Sequence, residues 1–276
     1  MGVTLNLIGA GHVGRVLGRL FADGGVFALQ DVLTRSQSSA ADAVAFIGAG
    51  QACTELAAMR PAQVWMLAVS DDQILPACAA LAAAHDLQGA LVFHCSGARG
   101  SGELAAARAG GALAASVHPI RSFADPGAVA RDFNGTYCGV EGDAGALALL
   151  VPAFEAIGAR SVVIDAGAKT VYHAAAVFAS NYLVTLLDAA LRAYQAAGVP
   201  EHVARELVRP LAAETVANVL RLGAPTALSG PVARGDHATV ARQQQALAAW
   251  DGATGELYAA LVPLTADLAR RKLASH

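Results

Sequence analysis

Lys169 and His173 form a pair whose residue types and spacing could perform acid–base chemistry. In a helix, residues four positions apart lie about 40° apart around the axis and one turn apart along it, so both side chains can reach one bound group. A lysine at the N-terminal end of a helix is electrostatically unfavourable, because the positive end of the dipole disfavours a cation. Such a cation can stabilise or protonate the oxygen that becomes negative when hydride reaches a carbonyl, and an imidazole can orient the substrate or give the proton. We predict that both are catalytic; the alternative is a solvated lysine beside a core histidine bonded to the backbone.

Further candidates follow the ends of predicted strands. Ser96 is predicted to be catalytic and Gly97 to contact the substrate, although a Ser-Gly pair after a strand is also ordinary turn chemistry. His118 and Arg121 follow the next strand, and an arginine there would suit a carboxylate substrate. The alternative is that Pro119 shapes a loop in which both side chains face solvent.

Ser229 and Arg234 are weaker substrate-binding candidates in a later loop. This loop separates two predicted helices, and its last residue, Asp236, is a suitable N-cap for the second of them. The alternative is that the loop serves only as a turn and a cap.

A glycine-rich segment near the N-terminus predicts a dinucleotide-binding turn. The apolar residues 3–8 predict a strand, residues 15–21 predict a helix, and GxGxxG lies between them. The glycines allow a tight turn, close approach of backbone N–H groups to a pyrophosphate, and close packing of helix on strand. We predict contacts to the cofactor from the whole turn, Gly9, Ala10, Gly11, His12, Val13 and Gly14.

The end of the second predicted strand favours NADP over NAD. Thr34, Arg35 and Ser36 stand where an NAD enzyme has an acidic ribose ligand, and a guanidinium and hydroxyls suit a 2′-phosphate. Asp31 lies inside the strand and is not counted as a ribose ligand. The alternative is that Arg35 is simply solvated. Nearer the nicotinamide, we predict cofactor contacts from Val69, the last residue of the third strand, and from Ser70 and Asp72, which follow it.

The alternation of elements predicts an α/β fold with a doubly wound, mainly parallel Rossmann sheet, followed by an all-helical domain. Strands and helices alternate over residues 1–165, the predicted cofactor-binding domain, and residues 166–276 are almost purely helical. One long helix is predicted over 169–197, closed by Gly198 and Pro200. The predicted elements in between are strands at 27–33, 64–69, 90–94, 114–117, 136–141 and 161–165, and helices at 73–85 and 144–158.

Composition favours a cytoplasmic protein with a small-molecule partner. The 276 residues are 55% hydrophobic and 15% charged with a net charge of −3, which gives no general attraction to nucleic acid or to an anionic membrane. Four cysteines without CxxC spacing predict neither disulfides nor a metal site. The apolar run at 3–8 is too short for a membrane span, and no basic residue precedes it as in a signal peptide.

These motifs resemble the 6-phosphogluconate dehydrogenase superfamily, which includes β-hydroxyacid dehydrogenases and ketopantoate reductases. The segment from Lys169 to His173, the pair Ser180-Asn181 and the segment from Ser229 to Asp236 resemble a group of Rossmann-like proteins within it whose substrates are mostly unassigned. The resemblance implies a catalytic role for Lys169, a helix-packing or substrate-binding amide at Asn181, and a homodimer formed through the helical domain. An asparagine is common in the superfamily where this chain has His173.

We therefore expect an NADP-dependent oxidoreductase that transfers hydride to a small carbonyl substrate, such as a 2-keto or hydroxy acid. One alternative is an imine reductase of the pyrroline-5-carboxylate type, which would not need the lysine. Another is a cofactor-binding sensor or scaffold without redox chemistry.

Overall fold

The protein is built around one eight-stranded sheet, as seen in a computed structural model that describes residues 2–274. The strand order is β3-β2-β1-β4-β5-β6-β7-β8, and every neighbouring pair is parallel except β6 and β7. The strands are Thr4–Ile8 (β1), Ala28–Leu33 (β2), Gln51–Cys53 (β3), Val64–Leu67 (β4), Leu91–His94 (β5), Leu113–Pro119 (β6), Tyr137–Gly142 (β7) and Arg160–Val163 (β8). The predicted doubly wound, mainly parallel sheet is confirmed.

Twelve α-helices accompany the sheet in the described residues. They are His12–Asp23 (α1), Gln37–Ile47 (α2), Ile74–Ala84 (α3), Ala105–Ala109 (α4), Pro126–Arg131 (α5), Ala144–Ala156 (α6), Lys169–Ala179 (α7), Asn181–Ala196 (α8), Glu201–Leu222 (α9), Ala224–Ala227 (α10), His237–Trp250 (α11) and Gly252–Ala274 (α12).

Two apolar clusters bury the two faces of the sheet. Alternate residues of a strand point to opposite faces, so in β4 Met66 joins one cluster with Phe21 and Phe154, while Trp65 joins the other with Ile74. Helices on both faces explain why the central strands are continuously apolar. This burial fixes the sheet and, with it, the loops at its carboxyl edge.

The helix predicted over 169–197 is in fact two helices, so that prediction is wrong. Ser180 leaves helical geometry with φ −124° and ψ −73°, and α8 begins at the next residue. Serine and asparagine favour helix ends because their side chains compete for backbone hydrogen bonds. The apolar periodicity on either side hid this break.

The chain divides into two compact units at this break. The first unit ends at Ser180 and the second begins at Asn181, whereas the change of element type in the sequence suggested a boundary at 165. Helix α7 belongs with the sheet because its first turn is tied to β6: Lys169 donates a hydrogen bond to Ser116, and Tyr172 is hydrogen-bonded to His118.

The second unit buries little of its own apolar surface. Among its described residues, those that are buried are Ala204, Val240, Thr254 and Gly255. By length and composition, the helical segment Ala166–Ala196, which ends in this unit, is apolar enough to cross a membrane, with a mean hydropathy of 1.5. Length and composition do not distinguish a membrane span from a helix that packs against protein.

Candidate active site and cofactor cleft

Two adjoining cavities lie at the carboxyl ends of the parallel strands, where doubly wound sheets bind ligands. The larger is about 970 Å³ and the smaller about 370 Å³. They share a wall formed by Gly11, Ala68, Val69 and Ser70. The two cavities therefore form one cleft that crosses the glycine-rich turn.

The glycines of the turn each have a distinct physical role. Gly9 has φ +83°, and a β-carbon there would lie 2.7 Å from the carbonyl oxygen of Ala68. A β-carbon on Gly14 would lie 2.8 Å from that of Ala68, so Gly14 lets α1 pack on the sheet. Gly11 has no atom within 4 Å of its β-position and lines both cavities. Together with the unblocked N-terminus of α1, this leaves an open backbone surface that suits a pyrophosphate.

The larger cavity contains most of the predicted cofactor residues. Thr34 and Arg35 line it, together with Ser39, which the sequence analysis missed. Ser36 instead caps α2, where its hydroxyl accepts a hydrogen bond from the backbone N–H of Ser39 at 3.3 Å. Asp31 is buried and paired with Arg60 at 2.7 Å, which agrees with its exclusion as a ribose ligand. The remaining predicted contacts at this wall are Gly9, Ala10, Gly11, Val69, Ser70 and Asp72.

The smaller cavity brings together residues from three separate segments of the sequence. Ser96 and Gly97 follow β5, His118 belongs to β6, and His173 projects from α7. The rings of the two histidines lie 5.8 Å apart between centroids. A β-carbon on Gly97 would lie 2.7 Å from His118 Nε2 and would also overlap the His173 ring. Glycine at 97 thus allows both imidazoles to approach the loop backbone. His12 and Val13 of the glycine-rich turn also line this cavity.

His118 is a neutral hydrogen-bonding group at physiological pH. Burial, aided by the nearby charges of His173 and Lys169, lowers the pKa of His118 to about 4. Its Nδ1 lies 3.1 Å from the hydroxyl oxygen of Tyr172, and burial raises the pKa of that phenol to about 12. Both groups are therefore uncharged in this pair.

Arg121 also lines the smaller cavity, but its guanidinium is already occupied. It pairs with the carboxylate of Asp132 at 2.8 Å and donates to the backbone oxygen of the same residue and to the hydroxyl of Thr136. A substrate carboxylate would have to compete with these partners.

Lys169 is buried and does not line either cavity, which corrects the expectation that its ammonium faces a bound substrate. Its side chain is 2% exposed and pairs with Glu141 at 3.3 Å, and it donates to the hydroxyl of Ser116. Burial lowers the pKa of Lys169, and Glu141 acts in the opposite direction. The sheet register explains this position of Lys169. Ser116 and Glu141 are direct partners in β6 and β7, so their side chains lie side by side and both contact the lysine.

A row of buried polar residues continues from this ion pair toward the cavity. The sheet register aligns His94 with Ser116 and Ser116 with Glu141 across three strands. Glu141 accepts hydrogen bonds of 2.7 Å from both the N–H and the hydroxyl of Ser101. His94 Nδ1 accepts from the N–H of Ser96 at 3.2 Å, and its Nε2 donates to the carbonyl of Gly100 at 3.0 Å.

These contacts hold the loop that forms one wall of the smaller cavity. The hydroxyl of Ser96 accepts from the N–H groups of Ala98 and Arg99 at 3.1 and 2.9 Å, so it stabilises the turn. The sequence analysis missed His94, Glu141 and Tyr172. A signal for Glu141 did exist, because a carboxylate inside an otherwise apolar strand must be paired when buried.

Three predicted site residues belong to the second unit. Asn181 is the first residue of α8, and Ser229 and Arg234 lie between α10 and α11. Asp236 caps α11 as predicted, accepting from the N–H of Thr239 at 3.0 Å.

The sheet order, the glycine-rich turn and the cleft at the carboxyl edge define a Rossmann-type dinucleotide-binding protein with an appended helical unit. Comparison with known proteins refines this assignment: residues 2–119 match the model of a Rossmann-like domain, and residues 136–265 match DUF2520, a domain of unknown function. The resemblance to Rossmann-like proteins of mostly unassigned substrate is thereby confirmed. No curated protein matches the chain.

Solved structures with similar folds cover nearly the whole chain. Protein TM1727 from Thermotoga maritima is 27% identical with a TM-score of 0.75, and the match covers 98% of this chain and 99% of that one. BF3122 from Bacteroides fragilis, a candidate NADP oxidoreductase, is 21% identical with a TM-score of 0.78 and coverage of 96% and 98%. A reductive aminase from Aspergillus terreus, in complex with NADPH and ethyl-5-oxohexanoate, is 18% identical with a TM-score of 0.68 and coverage of 98% and 95%. These likenesses establish the fold.

Proposed function

We propose that the protein is an NADP-dependent reductase that delivers hydride to the carbonyl carbon of a small molecule. The observation that carries this proposal is the continuity of the two cavities across Gly11, Ala68, Val69 and Ser70. A dinucleotide bound along this cleft would have one end beside Arg35 and the other beside His118 and His173. Similarity to folds whose members include NADP- and NADPH-binding enzymes supports the cofactor.

The residues around the larger cavity fit NADP rather than NAD. Arg35 carries a positive charge at the end of β2, with the hydroxyls of Thr34, Ser39 and Thr54 on the same cavity wall. These groups would hold a 2′-phosphate, and the carboxylate of Asp31, which would repel it, is paired with Arg60.

The smaller cavity supplies the groups that a carbonyl reduction needs. When bound, NADPH provides the hydride. As negative charge develops on the carbonyl oxygen, His118 and His173 are the groups that can donate a hydrogen bond or a proton to it. Lys169 contributes indirectly to the shape of the smaller cavity. It donates a hydrogen bond to the hydroxyl of Ser116, and this hydroxyl donates at 3.3 Å to the carbonyl of Ser96 in the cavity loop.

Turnover with purified protein tests the proposal. NADPH binding is measured by calorimetry, and NADPH oxidation is followed by absorbance with 2-keto acids, including ketopantoate, simple ketones and cyclic imines. We expect NADPH to bind and at least one carbonyl compound to be reduced. Binding of neither NADPH nor NADH would overturn the assignment. Binding without turnover on any compound would favour the sensor or scaffold alternative.

An imine substrate is the second candidate, favoured by the similarity to a reductive aminase. An iminium carries its own proton, so its reduction does not need a donor from the cavity. His118→Asn separates the two: carbonyl reduction should fall by about 10²–10⁴ in kcat, whereas iminium reduction should change little.

We also propose that the chain forms a homodimer through the second unit. Its helices expose large apolar side chains, among them Val184, Leu211, Leu220 and Leu264, each more than half exposed. A partner copy would bury these faces.

A further inference from the structure

Tyr172 is placed against His118 by the register of the sheet. His118 in β6 is the direct partner of Gly139 in β7. A β-carbon on Gly139 would overlap the hydroxyl oxygen of Tyr172. Because Gly139 has no side chain, the phenol of Tyr172 occupies that space and reaches His118 Nδ1 at 3.1 Å.

The direction of this hydrogen bond follows from the protonation state of the phenol, whose hydroxyl can donate as well as accept. Burial keeps the phenol protonated, with a pKa of about 12, so its own proton is free to point at Nδ1. Nδ1 is then the acceptor, and the single ring proton of the neutral His118 must be on Nε2.

The protonated nitrogen faces the cavity. Nε2 lies beside Gly97, and both residues line the smaller cavity. The charged or titratable groups that surround His118 are Tyr172, His173 and Lys169 from α7, and Asp71 from the loop after β4. Lys169 is paired with Glu141, and the His173 ring lies on the Nε2 side of the imidazole, beside Gly97, with 5.8 Å between the ring centroids.

We propose that His118 is the catalytic proton donor of the site and that Tyr172 is the positioning residue that holds it as the Nε2–H tautomer. This inference rests on the proposed carbonyl reduction. As hydride forms the new C–H bond, the Nε2–H bond breaks and the alcohol O–H bond forms. The Tyr172 O–H bond breaks at the same time and Nδ1–H forms, so the imidazole stays neutral throughout. The starting state returns when Nδ1 gives its proton back to the phenolate and Nε2 takes a proton from water, which reaches the half-buried His118.

The direction of proton flow is favourable. An alkoxide is a much stronger base than a phenolate whose conjugate acid has a pKa of about 12. A neutral imidazole that acts as the electrophile, because its pKa lies well below neutrality, is an established catalytic pattern in other enzymes. The substrate class that fits such a donor is an uncharged carbonyl group, which needs one proton from the protein.

Nitrogen-15 NMR of the labelled protein tests the tautomer without any substrate. His118 signals are assigned by their loss in His118→Asn, and His85, whose Nε2 lies 2.8 Å from the carbonyl of Leu56, serves as internal reference. We expect the Nε2–H tautomer of His118 from pH 8 down to about pH 5, with protonation near the pKa of about 4. In Tyr172→Phe the Nδ1 contact is lost, and we expect a mixture of tautomers while His85 is unchanged.

Kinetics with the reduced substrate tests the role in turnover. Tyr172→Phe should lower kcat by about tenfold to a hundredfold with KM nearly unchanged, and His118→Asn should lower kcat by about 10²–10⁴. The kcat of the wild-type protein should not fall between pH 7 and pH 5, because His118 does not titrate there. Tyr172→Phe with wild-type kcat, or an Nδ1–H tautomer in the wild-type protein, overturns the inference.

The two proposals fail in different ways. In one outcome no carbonyl compound is reduced, but His118 is the Nε2–H tautomer in the wild-type protein and not in Tyr172→Phe. The proposed reaction and the proton transfer by His118 are then wrong, whereas the positioning of His118 by Tyr172 is confirmed. If a carbonyl compound is reduced and His118→Asn retains wild-type kcat, the reaction stands and the donor is wrong.

Discussion

The side chains of Lys169 and Glu141 are 2% and 4% exposed, so their ion pair differs physically from the surface pairs of the helices. A surface pair gains little because water screens it, whereas a buried charge that loses its partner is strongly unfavourable. The sequence analysis assigned Lys169 to the substrate because a cation at the unfavourable end of a helix dipole suggested a charge used in catalysis. The anion is Glu141, which lies in β7, and sequence spacing alone could not bring the two together.

Removal of one charge of the Lys169–Glu141 pair should therefore lower the free energy of unfolding much more than removal of both charges. Glu141→Gln keeps an acceptor for Ser101 but leaves the cation of Lys169 unpaired, and it should lower the free energy of unfolding by about 3–5 kcal/mol. The double variant Glu141→Gln with Lys169→Met should recover most of that loss. Urea denaturation measures both.

A surface pair provides the matched control. Asp23→Asn removes the partner of Arg19 on α1, where both side chains are about half exposed, and should cost less than about 1 kcal/mol. Equal losses in Glu141→Gln and Asp23→Asn would show that the buried pair contributes no more than a surface pair.

The sequence predicts those strands and turns whose formation depends on a local pattern of apolar residues and glycines. The glycine-rich turn and strands β1, β2, β4 and β5 follow from apolar runs that end in glycine or polar residues. Strand β3 is only three residues long, at the edge of the sheet, and is too short to give a pattern. The break at Ser180 was missed because the apolar helical periodicity continues on both sides of Ser180 and Asn181 and outweighed the signal of these two residues.

The residues of the candidate site also divide into those that a local sequence pattern predicts and those that it does not. His118, Gly97 and Ser96 were predicted because they follow strand ends, which converge at one edge of a parallel sheet. Tyr172 and Glu141 were not, because their roles depend on which residue stands opposite them in β6 and β7. That β6 and β7 run antiparallel in an otherwise parallel sheet is a topological fact that apolar patterns do not encode.

The turn between β2 and α2 makes a prediction about cofactor choice. Arg35 is exposed at the end of β2 and lines the larger cavity. A charge-assisted hydrogen bond to a 2′-phosphate contributes about 1.5–3 kcal/mol, so Arg35→Ala should weaken NADPH binding roughly tenfold to a hundredfold and leave NADH binding nearly unchanged. Calorimetry with both nucleotides measures this.

Arg160→Ala is the control for the loss of a positive charge. Arg160 lies in β8, at the opposite edge of the sheet from β2, and stacks over Tyr137. It should bind both nucleotides as the wild type does. If Arg35→Ala weakened NADPH and NADH equally, the assigned phosphate contact would be wrong.

At the scale of the whole molecule, the two units differ in how they bury apolar surface. Both apolar clusters of the described chain consist of residues from the first unit. In the second unit the buried hydrophobic residues are Ala204 and Val240, both small or medium in size. Helices owe most of their stability to packing of an apolar face, so α8, α9 and α12 need a cover that a single second unit does not supply.

We propose that a second copy of the chain covers these apolar faces, and loss of the dimer should destabilise the helices of the second unit. Light scattering of the purified protein should give twice the 27.9 kDa of one chain. Leu211→Glu and Leu220→Glu place charges on exposed apolar positions of α9 and should shift the protein to monomers with less helix by circular dichroism. Leu75→Glu on α3 of the first unit, which is 58% exposed, should leave the dimer intact.

The segment Ala166–Ala196 is apolar enough to suggest the competing outcome, binding to a membrane. If a bilayer rather than a partner covers the helices, the protein should sediment with phosphatidylcholine vesicles, and Leu211→Glu should reduce that sedimentation without changing the mass in solution. If a second copy covers them, the wild-type protein should stay in the supernatant as a dimer. A wild-type monomer with full helical content and no affinity for vesicles would contradict both, because it would leave the apolar faces of α9 and α12 in water.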